Sequence, residues 1–199
     1  MEHAVEFLSD FSYSKRMRER GIKRHHHFSY NVENYIIRTQ ILYERLLQLV
    51  NRVFHLLNEP RNCTYPVITQ NLKVAQTPVP ALLKAVRKPL ERYQRDRNMI
   101  VHRESYSEDE LSRVGMLYFV DHLPDEPGDD AVVSATDGLH HLRTQMLARL
   151  ISEKRDEFNA VNTEVFALLL PLFTALESVY GRERLRLAVL WSVNKPLTP

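Results

Sequence analysis

From Val32 to Leu57 the apolar and aromatic residues recur every three or four positions: Val32, Tyr35, Ile36, Leu42, Tyr43, Leu46, Leu47, Val50, Val53, Phe54 and Leu57. A strand would alternate with period two, so this spacing predicts an amphipathic helix over residues 31–57. Asn31 is placed to cap it, Glu33 falls in its first turn, and Asn58-Glu59-Pro60 stops it. A second long tract runs from Asp137 to about Val179 through Leu139, Leu142, Met146, Leu150, Ile151, Phe158, Val161, Val165, Leu168 and Leu172. Pro171 is expected to bend or break it, because proline lacks the amide donor and crowds the preceding turn.

Shorter tracts fill the space between. Thr77-Pro78 opens a helix that continues through Leu83, Val86, Leu90 and Tyr93, with Pro89 expected to kink or restart it. Ser107 with Glu110 forms a capping-box pattern ahead of Leu111, Val114, Leu117 and Tyr118. A short helix is expected near Ala4–Phe11, a short extended piece at Tyr65–Ile68, and a tail helix around Arg182–Trp191. Only five glycines occur in 199 residues, which disfavours a hairpin-rich β architecture. The fold class expected is all-α, a helical bundle of four to five main helices. Three regions are expected: a basic, His-rich segment over residues 1–30, the bundle over 31–180 with an acidic loop at 123–136, and a tail over 181–199.

Cys63 is the only cysteine, so no intramolecular disulfide can form, which fits a reducing compartment. The N-terminus has no apolar signal core, and the longest apolar run, Val165–Leu176, falls short of the ~20 residues that cross a bilayer. The expectation is a soluble cytoplasmic protein with no membrane partner. The net charge of +2 does not by itself require nucleic acid. Its distribution is more informative. Lys15, Arg16, Arg18, Arg20, Lys23 and Arg24 face a single acid, Glu19. A second cluster gathers Lys84, Arg87, Lys88, Arg92, Arg95, Arg97 and Arg103 against Glu91 and Asp96. Such clusters can hold phosphate backbones, although most charge runs are solvated faces.

Within the second cluster lies Arg97-Asn98-Met99-Ile100-Val101-His102. On a helix, Asn98 and His102 share a face. Arg97 stands about 140° from His102, a gap that a long guanidinium can cross. The apolar triplet between them is expected to anchor the turn in the core. An imidazole exchanges protons near neutral pH, and a guanidinium grips phosphate with two parallel donors. RNA carries its own nucleophile, the 2′-hydroxyl, so this pair can in principle cleave it without a metal. Spacing alone is weak evidence, because an Arg and a His five positions apart recur by chance.

The segment resembles the HEPN superfamily, whose hallmark is an Arg, a polar residue, and a His after four to six intervening positions. The resemblance implies a dimer that pairs two copies of the motif across a cleft. It also implies metal-independent endoribonuclease activity on single-stranded RNA, with no cofactor, in a toxin–antitoxin, CRISPR or antiviral setting. An antitoxin or nucleotidyltransferase would then be a partner. Carried over, Arg97 binds the scissile phosphate, His102 is the general acid or base, and Asn98 orients one of them. Lys88, Arg92, Arg95 and Arg103 would hold the RNA backbone. Some members place a modifiable tyrosine two residues after the His; here that position is Glu104, the nearest tyrosine is Tyr106, and Glu104 could pair with Arg103 or Arg97.

Two other readings remain open. One is a catalytically silent HEPN-like module that binds RNA, a nucleotide or a protein, and the other is a purely structural helical protein. His25-His26-His27 makes a poor metal site, because adjacent side chains on a helix diverge. His55, His140-His141 and Trp191 read as surface or packing residues. There is no Gly-rich phosphate loop, no His-Glu-x-x-His zinc motif and no Gly-x-Ser-x-Gly elbow.

Overall fold

The computed structural model describes residues 1–10, 14–102, 106, 108–120 and 130–193. The helices are α1 (Glu2–Ser9), α2 (Lys15–Glu19), α3 (Arg24–Val53), α4 (Tyr65–Thr69), α5 (Leu72–Ala75), α6 (Val79–Leu90), α7 (Gln94–His102), α8 (Asp109–Val120) and α9 (Asp130–Val193). Short 3-10 turns occupy Pro60–Asn62 and Glu91–Tyr93. No strand occurs among the described residues, and the fold is all-α.

The chain forms two compact units. The first comprises Met1–Arg38 and Tyr93–Asn162, the second Thr39–Arg92 and Thr163–Pro199. In the first, Val5 and Leu8 of α1, Phe28 and Val32 of α3, Val114 of α8 and Leu147 of α9 are buried. In the second, Leu46 and Val50 of α3, Ile68, Val79, Leu83 and Leu172 are buried. Cys63 also lies buried there as a free thiol, and burial raises its pKa.

Several boundaries differ from the sequence reading. Helix α3 begins at Arg24 rather than Asn31, so the His run lies inside it. Asn31 does not cap; it turns back one turn and donates to the His27 carbonyl at 2.9 Å. Residues 65–69 are helical, not extended: Pro66 sits in the first turn of α4, where its missing amide costs nothing. Pro89 closes the last turn of α6, after which a 3-10 turn restarts the chain as α7. Pro171 neither ends nor breaks the helical run of α9, whose Leu172 and Leu176 are buried just beyond it. The expected tail helix is therefore the end of α9. Of the expected acidic loop, residues 130–136 belong to the start of α9, and residues 123–129 lie outside the described residues, as does Ser107.

Helix α9 contains, within Gly138–Arg186, a stretch long and apolar enough by composition to cross a bilayer, at a mean hydropathy of 1.4. The uninterrupted run read from the sequence is shorter because that average spans polar residues such as Glu164 and Glu177. The core helix of a soluble protein satisfies the same criterion.

The end of α3 is held by a side-chain clamp. Asn51, which is buried, donates from Nδ2 to the Asn58 carbonyl at 2.9 Å. Its Oδ1 accepts from the Asn58 amide at 3.2 Å and from Asn58 Nδ2 at 3.0 Å. Within this stretch His55 stands at φ 51° and Leu57 at φ 60°. Both values are in the left-handed region, where a side chain costs about 1–2 kcal/mol. Leu57 is 90% exposed, so its side chain gives little packing in return. Leu57→Gly is expected to raise stability by about 1 kcal/mol. Asn51→Ala, which strips three hydrogen bonds from one turn, is expected to lower it by about 2 kcal/mol. Urea denaturation of both variants checks the pair, and equal midpoints would contradict the clamp.

Candidate active site

Arg97, Asn98 and His102 all lie on α7 in the first unit. Arg97 Nη1 donates to Asn98 Oδ1 at 3.1 Å, so these two side chains are joined. His102 occupies the last turn of the helix and is exposed, as is Asn98. Among the described residues, no hydrogen bond or ion pair engages His102. Arg95 is exposed on the same helix. Lys88 and Arg92, also exposed, belong to the second unit. Arg103 and Glu104 lie outside the described residues.

The apolar triplet does not anchor this helix as its sequence suggested. No residue of α7 is buried, and Val101 is 49% exposed. Three consecutive residues sweep about 200° of a helix, so they cannot all face one core. The anchoring comes instead from the residue immediately before α7. Tyr93 packs edge-on against Tyr35 of α3 and Phe158 of α9, at 5.8 Å from each ring. Those two rings stack on each other at 3.7 Å with only 8° between their planes. The Tyr35 hydroxyl lies 3.1 Å from both the Phe158 carbonyl and Asn162 Oδ1. All three rings are buried.

A polar chain continues from this cluster and holds the other side of the motif. The Tyr93 hydroxyl donates to Glu157 Oε1 at 2.8 Å. Lys154 pairs with Glu157 Oε2 at 3.2 Å and with Glu108 Oε2 at 3.5 Å. Glu108 accepts from the Tyr106 hydroxyl at 2.7 Å, and the Tyr106 amide donates to Glu33 of α3 at 2.6 Å. The motif helix is thus bracketed by two tyrosines, one just before it and one four residues after His102, tied to a common Lys154. Burial, then the bond to Glu108, raises the Tyr106 pKa, so this hydroxyl stays protonated. Burial opposes the Lys154 ammonium, but Tyr106, Glu157 and Glu108 together hold its pKa above the ordinary range. Tyr106 is half-buried and already engaged, so it is not presented as a modifiable tyrosine would be.

The His run also resolves into separate environments. His25 lies against Tyr118 of α8 at 4.5 Å, and Arg143 of α9 covers the same tyrosine at 4.1 Å. Lys23 donates to the Tyr118 carbonyl at 3.1 Å. His27 instead meets Asn31 within α3. Among the described residues, no group of three or more His, Cys, Asp or Glu is placed to hold a metal ion. Burial, then His26, Lys23 and Arg143, lowers the His25 pKa from 6.5 to about 4.

A family model described as HEPN_Cthe2314-like HEPN matches residues 3–120, more than half of the chain and all of α7. The chain belongs to the HEPN superfamily. No curated protein and no solved structure matches it. The match begins at residue 3, so this HEPN stretch takes in α1 and the basic segment as well as α3 and the motif. Members of the superfamily are generally nuclease-like. The residues that brace α7 were not legible in the sequence. Tyr93 was visible only as an apolar position of a helix and Tyr106 only as the tyrosine nearest the motif, and Lys154 and Glu157 carried no signal of their own.

Two outcomes follow from this geometry. Tyr93→Phe keeps the ring contacts and loses one hydrogen bond, and is expected to cost about 1 kcal/mol. Lys154→Met leaves two neighbouring carboxylates with only their tyrosine donors and is expected to cost more, about 2 kcal/mol. Chemical denaturation orders the two variants, and a reversed order would contradict the network. For His25, the unfolded chain takes up a proton near pH 6.5 that the folded chain refuses until about pH 4. Stability is therefore lost as pH falls through that window. His25→Phe should flatten that slope relative to the unaltered chain in melting curves, since phenylalanine keeps the ring packing and does not titrate.

Proposed function

We propose that this HEPN protein is a metal-independent endoribonuclease that cleaves single-stranded RNA as a homodimer, with Arg97, Asn98 and His102 as its catalytic residues. The observation that carries this reading is that Arg97 and Asn98, hydrogen-bonded to each other, lie on the same helix as an exposed His102, with Tyr93 packed immediately ahead of that helix. Arg97 binds the scissile phosphate and offsets the charge that builds on it. Its bond to Asn98 limits the rotamers of the guanidinium, which favours that role for Asn98 over a purely solvated one.

The reaction is an intramolecular transesterification. A base takes the proton of the 2′-hydroxyl, the new 2′-oxygen–phosphorus bond forms, and the bond from phosphorus to the 5′-oxygen breaks. The leaving oxygen takes a proton. The products are a 2′,3′-cyclic phosphate and a 5′-hydroxyl. In an in-line displacement the entering and leaving oxygens lie on opposite sides of phosphorus, so one imidazole cannot serve both at once. Two copies of His102, one from each protomer, satisfy that requirement, and this is the chemical argument for the dimer. Arg95, Arg103, Lys88 and Arg92 are assigned to the RNA backbone, and their contribution should weaken with salt.

The decisive measurement is cleavage of a single-stranded RNA in excess EDTA. His102→Ala is expected to lower the rate by about 10²–10⁴-fold, and Arg97→Ala by a comparable factor, without shifting the melting midpoint. Full cleavage by His102→Ala would overturn the assignment. RNA that is bound through Arg97 but never cleaved would place the chain with the catalytically silent alternative.

A further inference from the structure

The second unit contains a groove of about 560 Å³ that the motif does not use. Its walls come from the end of α3, the turn between α5 and α6, and the last third of α9. Lys73, Arg182 and Arg186 carry three positive charges into it, against the single acid Glu183. Glu183 lies 3.7 Å from Arg186, so one of the three cations is partly neutralised. Among the described residues, no acid pairs with Lys73 or Arg182.

The floor is of a different character. Phe54 and Val179 line it with only a narrow exposed edge each, and Pro78 and Ala175 add more open apolar surface beside the charged residues. Thr77 and Ser178 add hydroxyls to the same lining. Thr77 Oγ1 already accepts from the Val79 amide at 3.3 Å and donates to the Val74 carbonyl at 2.7 Å, so Thr77 is held in place. It leads into α6, whose dipole turns its positive end toward this wall. A site of this kind suits a ligand with an anionic head and a flat or apolar body. Guanidinium and ammonium groups at the rim favour a doubly charged head over a single carboxylate. The volume is that of a small-molecule site, not a continuous track for a polymer.

We infer that this groove binds a small phosphate monoester with an apolar or aromatic body, its phosphate held by Lys73 and Arg182 and its body laid over Phe54 and Val179. The site is independent of Arg97, Asn98 and His102, so binding there persists whether or not the chain cleaves RNA.

The test titrates the full chain with phenyl phosphate, using inorganic phosphate and phenol as separate probes of the two halves of the ligand. Chemical-shift changes or calorimetry read the binding. Phenyl phosphate is expected to saturate at or below about 1 mM and to bind more tightly than either fragment. Lys73→Glu and Arg182→Glu are expected to weaken it at least about tenfold each. Both side chains are exposed, so the melting midpoints should hold. His102→Ala is expected to bind as the unaltered chain does. No saturable binding, equal binding of phenol, or affinity untouched by both reversals would overturn the inference. Loss of binding in His102→Ala would place the phosphate at the motif instead. Displacement by single-stranded RNA, with RNA affinity falling equally in Arg182→Glu, would make the groove part of an RNA path and refute the small-molecule assignment.

Discussion

The insertion of the Tyr93 ring against the stacked Tyr35–Phe158 pair is the contact on which the motif helix depends. Helix α7 buries no side chain of its own. A nine-residue helix without a buried face is too short to persist alone in water. Its half-buried Met99 and Ile100 therefore leave much of its orientation to its ends. Tyr93 supplies one end through two edge-to-face contacts and a bond to Glu157. Tyr106 supplies the other through Glu108 and Glu33. The exposure of α7 and the rigidity of its supports are complementary: polar side chains can be offered to a ligand because hydrophobic burial is delegated to the flanking tyrosines. A catalytic or binding pair needs its geometry held closely, and support from packed neighbours is how a fold supplies that.

What the sequence disclosed follows from the range of each physical signal. Periodicity is local, so the helical character of α3 and α9 and the all-α class were legible from spacing alone. Boundaries were less so. Asn31 has the chemistry of a cap but lies inside α3, because Phe28, three residues earlier, is fully buried and draws the preceding turn into the core. Tertiary burial overrode a local preference there. Pro171 was read as a breaker for a similar reason, yet α9 runs through it with Leu172 buried on the next position. The proline penalty is a fixed local cost, whereas the burial that offsets it is set by distant residues.

The site divides in the same way. The placing of Arg97, Asn98 and His102 on one helix was legible, because helical spacing is a short-range pattern. Their bracing was not, because the distance in sequence from Tyr93 to Glu157 is 64 positions and from Glu33 to Tyr106 is 73. No spacing rule reaches that far in one sequence. The apolar triplet Met99-Ile100-Val101 illustrates the opposite error. It looked like an anchor, but half-exposed apolar residues beside an exposed His102 describe a surface, not a core.

The extent of the family match sharpens what the HEPN assignment does and does not account for. The match ends at residue 120, and Phe158, Lys154 and Glu157 all come from α9 beyond it. The motif therefore belongs to the shared part of the chain, while three of the groups that brace it belong to the part that the match leaves out. A chain ending at residue 120 would keep Arg97, Asn98 and His102 and lose the aromatic stack, the Tyr93 acceptor and the lysine between the two tyrosines. The family match takes in all of α7, and with it Arg97, Asn98 and His102. What holds the residues flanking that helix comes in large part from α9, whose Phe158, Glu157 and Lys154 meet Tyr35, Tyr93 and Glu108.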